Sequence, residues 1–171
     1  LTLPNSLAVS PDGADIYTVS GFASTAPNDP PPGRLATFAR EAGTGLTNYV
    51  SFLQDGVGGV DGIDYPLGVA AAADGRWVYA TGAADDALAV FTRDPATGAL
   101  AFDRALRKDA NPSLLLDAAI DVAADPLGRF VHVVALNDAA LTVFAPEPGA
   151  AFGAGAALLA LAAIRRQRQR A

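Results

Sequence analysis

His132 is the only histidine among the 171 residues, and a lone imidazole is a natural place to look for acid–base chemistry near neutral pH. It falls, however, where two other stretches of the chain place Tyr17 and Tyr79. An amphipathic ring at a recurring structural position therefore accounts for it. A second candidate is the segment QDGVGGVDGID, which sets Asp55, Asp61 and Asp64 among glycines. Calcium wants about six to eight oxygens at fixed spacing. The Asp-x-[Asp/Asn]-x-[Asp/Asn]-Gly order is missing here, and the matching stretch RKDANPSLLLDA keeps only Asp109 and Asp117. A connecting loop explains the segment without a metal. Asp85-Asp86 stands between two apolar runs, where turns gather acidic residues. There is no phosphate-cradling loop, zinc spacing or Gly-x-Ser-x-Gly elbow. The sequence thus assigns no catalytic residue, no metal site and no cofactor.

The elements that would hold such residues come from an internal repeat. LAVSPDGADIYTVSG begins at Leu7, VAAAADGRWVYATG at Val69 and VAADPLGRFVHVVA at Val122. Each is an apolar run, a tight turn and a second apolar run. The partners RLATFAREAGTG, ALAVFTRDPATG and ALTVFAPEP follow. Phe38, Phe91 and Phe144 are 53 residues apart both times, and so are Gly75 and Gly128. Gly13 to Gly75 is 62 residues, with the extra nine absorbed by the Pro-rich stretch 26–33. Consecutive prolines do not serve a strand ladder, so that stretch reads as an enlarged loop.

Four short strands per repeat follow from this pattern. The first repeat gives 7–10, 16–20, 35–40 and 46–53; the second gives 69–72, 77–81, 88–93 and 100–106. The third gives 120–123, 130–134 and 141–145 and then lacks a fourth. A four-stranded unit of this size is a propeller blade. The expected fold is all-β: about two and three-quarter blades (residues 7–66, 67–119 and 120–145), followed by a short C-terminal apolar helix. A blade or strand from outside these residues is expected to complete the ring. The chain has no Met even at position 1 and no Cys. It therefore reads as a fragment without its N-terminus, and disulfides are excluded.

The phrases AVSPDG and DDALAVFTRDPATGAL, with the link QDGVGGVDGID, resemble the repeats of YVTN and lactonase-like propeller proteins. The resemblance covers about residues 3–145 and implies the propeller fold. It also implies a possible activity, hydrolysis of lactones of the 6-phosphogluconolactone type, although one blade type serves many functions.

Residues 146–171 read PEPGAAFGAGAALLALAAIRRQRQRA. Pro146, Glu147 and Pro148 come first, then an uncharged stretch, 149–164, then Arg165, Arg166, Arg168 and Arg170. This order resembles the PEP-CTERM sorting signal of Gram-negative bacteria. The resemblance implies an exosortase-type enzyme as partner, with cleavage near the Pro-Glu-Pro element. As a helix the sixteen uncharged residues would reach about 24 Å against a bilayer core of about 30 Å. Arginines kept on the cytoplasmic side would put the propeller outside.

Residues 1–164 hold eight basic and eighteen acidic groups, a net of −10. Such a surface repels nucleic acid. From the tail and the missing catalytic constellation, the leading expectation is a non-enzymatic surface or matrix scaffold contacting polysaccharide or an envelope protein. It would pass through the inner membrane by its tail and reach the cell surface or matrix. The alternative is a lactonase-like hydrolase, which would need a positioned base and donors for the developing oxyanion.

Overall fold

The computed structural model describes residues 3–22 and 33–146, and the backbone of 158–165. Its twelve strands form three antiparallel sheets of four. The first sheet runs in the order β1 (Pro4–Val9), β2 (Asp15–Ser20), β3 (Arg34–Arg40) and β4 (Thr47–Gln54). The second is β5 (Pro66–Ala71), β6 (Trp77–Gly82), β7 (Ala87–Arg93) and β8 (Leu100–Arg107). The third is β9 (Ala119–Ala124), β10 (Val131–Ala135), β11 (Ala140–Pro146) and β12 (Leu158–Arg165). These are successive propeller blades, with β5 packed between β1 and β9 as the innermost strands.

The 53-residue repeat survives to the level of hydrogen bonds. Phe38, Phe91 and Phe144 pair with Ile16, Val78 and Val131. Each of the three follows a bulge in the pairing with the outermost strand, at Thr37/Phe38, Val90/Phe91 and Val143/Phe144. A bulge adds local twist, and its recurrence gives every blade the same twist at the same place. Phe91 and Phe144 are fully buried, while Phe38 is half-buried on a face that no other blade covers among the described residues.

A second recurrence carries no glycine signature. Leu3, Tyr65 and Ala118 all have φ near +52° (53°, 51° and 52°). Their carbonyls accept the N–H of Gly21, Ala83 and Leu136. At Tyr65 and Ala118 the left-handed turn steers the chain from one blade's outer strand into the inner strand of the next. It is tolerated in side chains that rarely adopt it because the sheet fixes it from both sides.

The apolar faces of neighbouring blades make two cores. Tyr17, Val19, Leu35, Val60 and Ile63 meet Val78, Ala89 and Phe91 between the first and second blades. Trp77, Tyr79, Leu88 and Val90 meet Leu114, Leu116, Val131 and Phe144 between the second and third. In the second sheet β6 and β7 are nearly continuous buried runs because a blade covers each of its faces.

The structure departs from expectation at the C-terminus. Over 158–165 the chain forms β12, paired with β11 from Ala140↔Arg165 to Pro146↔Leu158, and not a helix. Without β12 the outer edge of β11 would present a row of unpaired N–H and C=O groups. Short apolar runs do not distinguish helix from strand by periodicity. The third blade is therefore complete within this chain and borrows no strand. Among the described residues no helix is long and apolar enough to cross a membrane. The Pro-rich stretch 26–33 lies outside the described residues except for Gly33.

Candidate functional site

The blades have two rims. One carries the β1–β2 and β3–β4 turns and their repeat mates. The other carries the β2–β3 turns and the blade-to-blade links 55–65 and 108–118. The link rim gathers the acidic residues.

Asp55 and Asp61 of the first link and Asp85 of the β6–β7 turn each bring one carboxylate oxygen within 4.8 Å of the others. The link packs tightly enough that a Cβ at Gly62, which has φ +85°, would stand 2.7 Å from the Ala105 Cβ. Arg107 at the end of β8 reaches into the cluster. Its Nη1 lies 2.6 Å from Asp61 Oδ1 and its Nη2 3.1 Å from Asp85 Oδ1. Asp85 Oδ2 accepts the Asp64 N–H at 2.7 Å, and Asp55 Oδ1 accepts the Ile63 N–H at 3.1 Å. Burial pushes the Asp55 carboxyl above its ordinary range. The Ile63 N–H pulls the other way, and the charges of Asp85, Asp61 and Asp64 push it up further. Burial alone would lower the affinity of Arg107 for its proton, but Asp85 and Asp61 outweigh it and raise it.

The second link repeats this frame with one exchange. Asp138 Oδ2 accepts the Asp117 N–H at 3.0 Å, as Asp85 does for Asp64, 53 residues earlier. At the place of Asp55, however, stands Lys108, whose Nζ lies 2.9 Å from Asp117 and 3.1 Å from Asp138. An ammonium in one junction is a carboxylate in the other. That exchange leaves Asp55 among like charges, while Arg107 pairs with Asp61 and Asp85. A carboxyl with a raised proton affinity can take a proton from water. Three carboxylates this close could also hold a cation, although Arg107 already engages two of them.

Asp85 and Asp86 hold backbone on both sides. Asp86 Oδ1 accepts the Ala118 N–H at 2.8 Å while Asp85 holds the preceding link. The plain turn read from sequence is thus a clamp. The signal was available in the 53-residue spacing of Asp85 to Asp138 and of Asp64 to Asp117.

The opposite rim holds a buried ionic clasp that sequence reasoning missed altogether. Arg93 Nη2 lies 2.6 Å from Asp15 Oδ2 and 2.8 Å from Asp12 Oδ2, and Nε donates to the Tyr17 hydroxyl at 2.7 Å. Nη1 donates to the Gly75 carbonyl at 2.9 Å. Burial pushes the Tyr17 phenol up to about 12, and the Asp15 charge adds to it. Three of these contacts join two blades and the fourth ties Arg93 to its own blade's turn, so the group is structural.

His132 sits in β10 opposite Ala123 and Val143, the register that Tyr17 and Tyr79 occupy in their own sheets. Its ring neighbour is Phe130, with centroids 6.4 Å apart. Of the tail residues, Pro146 ends β11 and Arg165 ends β12. Glu147, Pro148, Arg166, Arg168 and Arg170 lie outside the described residues.

No family model matches the chain, and no curated protein matches it. Solved structures do. The periplasmic gluconolactonase of Pseudomonas aeruginosa superposes with a TM-score of 0.65 at 23% identity, over 95% of this chain and 39% of that one. A candidate 6-phosphogluconolactonase from Bacteroides fragilis gives 0.66 at 16%, over 95% and 39%. A Lactobacillus plantarum protein gives 0.70 at 21%, over 94% and 41%. The chain spans about two fifths of the length of each. These names correct the leading expectation of a non-enzymatic scaffold, because they side with the hydrolase alternative. The scaffold expectation rests on the tail and on the absence of a motif, and a site assembled from links and turns would leave no motif. The chain has the fold of the lactonase-like propellers.

Proposed function

We propose that this chain is part of a propeller hydrolase that opens a sugar-acid lactone with water. The observation that carries the proposal is the likeness over 95% of the chain to propellers named as gluconolactonases. Asp55 is the general base, and Arg107 holds the neighbouring carboxylates of Asp61 and Asp85 in place. Water attacks the lactone carbonyl and gives its proton to Asp55. The ring C–O bond then breaks, and the ring oxygen takes a proton to leave a hydroxy acid. A substrate without phosphate suits this part of the protein, since residues 1–164 carry a net of −10 and a phosphate would want free Arg or Lys. The test compares glucono-δ-lactone with its 6-phosphate by proton release above the spontaneous rate. Faster turnover of the uncharged lactone supports the proposal. Turnover of neither contradicts the hydrolase reading, and turnover of the phosphate alone contradicts the substrate.

We also read the repeats as the YVTN type, on AVSPDG and DDALAVFTRDPATGAL, and the tail as a PEP-CTERM signal. What supports the tail reading is the order of Pro146-Glu147-Pro148, the uncharged stretch and the four arginines. An exosortase-type enzyme would cleave there, exporting the propeller to the surface, and β12 would have to leave its sheet first. Mass spectrometry of the released protein tests it: a C-terminus intact through Ala171 contradicts sorting.

A further inference from the structure

The outer face of the first blade is built like the face by which the second blade meets the first. In the second blade the Phe91 and Phe102 rings sit edge to face, with centroids 5.7 Å apart at 66°. Phe91 and Ala89 there are buried against Tyr17, Val19 and Leu35. In the first blade Phe38 and Tyr49 repeat that ring pair at 5.8 Å and 72°. Ala36 stands where Ala89 does. Among the described residues no second blade covers this face: Tyr49 is 58% exposed, Phe38 is half-buried, and with Arg34, Ala36 and Phe52 they line a groove of ≈ 360 Å³.

The polar part of the interface is repeated too. Arg93 Nη1 donates to the carbonyl of its own blade's turn glycine, Gly75, at 2.9 Å. Arg40 stands 53 residues earlier and its Nη1 donates to Gly13 at 3.1 Å. The remaining nitrogens of Arg93 cross the junction to Asp12, Asp15 and Tyr17. Arg40 is exposed and forms no ion pair among the described residues.

We propose that this face binds a further four-stranded blade of the same repeat type. Arg40 closes on that blade as Arg93 closes on the first. The occupant carries a carboxylate at the turn place of Asp12, another at the place of Asp15, and a tyrosine at the place of Tyr17. The aromatic groove takes the apolar part of its face. A second copy of this chain does not fit that description. Its third blade offers Leu127, Phe130 and His132 at those three places, with no carboxylate among them. The inference is independent of the hydrolase reading.

A chain with residues 1–62 repeated ahead of Leu1 tests it. Leu3 of the original chain then follows at the spacing of Tyr65, and Arg40 faces the added copies of Asp12, Asp15 and Tyr17. The extended chain is expected to melt above the parent. In the extended chain Arg40→Ala should lower the melting temperature by about 6–12 °C, the scale of a broken buried pair in a chain this long. In the parent, where Arg40 holds only the Gly13 carbonyl, the shift should stay within about 2 °C. Asp15→Ala in the added unit alone should reproduce the loss and should not add to Arg40→Ala. Small, equal effects of Arg40→Ala in both chains, or fully additive losses, would overturn the proposal. So would a parent that sediments as a dimer and becomes monomeric on Arg40→Ala, because the occupant would then be a second copy.

Discussion

Arg93 Nη2 and Asp15 Oδ2 lie 2.6 Å apart across the junction of two blades, with side chains 1% and 6% exposed. Neither charge has much water to return to. Breaking such a pair by removing one partner costs about 3–5 kcal/mol, because the other is left buried and uncompensated. Arg93→Ala should lower the unfolding free energy in urea by about that amount. A loss below about 1 kcal/mol, the range of an exposed pair, would show that the clasp holds nothing together.

Asp12 makes the same junction sensitive to acid. Hydrogen bonds from Ser10 and the Ala14 N–H hold its carboxyl down at about 2, against an ordinary 3.8, and Arg93 adds to the effect. A carboxylate depressed in the fold contributes stability above its unfolded value and loses it as pH falls through the folded one. The melting temperature should therefore drop between about pH 4 and pH 2, and Asp12→Asn should make that drop shallower. A pH profile identical for the two proteins would contradict this account of the clasp.

Asp55 has the opposite sign. Its carboxyl is pushed up by burial and by neighbouring carboxylates, so ionising it near neutral pH works against the fold. Asp55→Asn keeps an oxygen for the Ile63 N–H and removes the charge. The variant should melt higher than the parent at pH 7 and equal to it near pH 3, where both are neutral. Destabilisation at pH 7 would mean that the charge of Asp55 is needed to hold the link.

Phe91 and Phe38 occupy the same register in successive blades but differ in cover. Phe91→Ala should cost about 3–5 kcal/mol. Phe38→Ala should cost clearly less, since half-burial leaves less apolar surface to lose. Equal losses in urea titrations would mean that the outer face of the first blade is covered.

The blades were legible because a propeller writes its architecture twice over, in apolar runs and in a fixed spacing. Phe38, Phe91 and Phe144 found the third strand of every sheet, and Gly13, Gly75 and Gly128 found the first turn. The inter-blade chemistry was not legible. Arg93 meets Asp12 and Asp15 from some eighty residues away, and nothing in a one-dimensional pattern pairs one charge with another at that range. Leu3, Tyr65 and Ala118 turn left-handed without a glycine to announce it. At the C-terminus, 158–165 had the composition of a short helix. The open edge of β11 decided for a strand, a tertiary cause that composition does not contain.

The most direct measurement of the functional claim is hydrolysis of glucono-δ-lactone by the parent and by Asp55→Asn, with melting curves confirming that both are folded. A general base contributes about 10²–10⁴-fold. The account predicts that the variant loses turnover by at least about the lower of those factors while melting no lower than the parent at pH 7. Undiminished turnover in a folded Asp55→Asn protein would contradict it and would remove Asp55 from the chemistry.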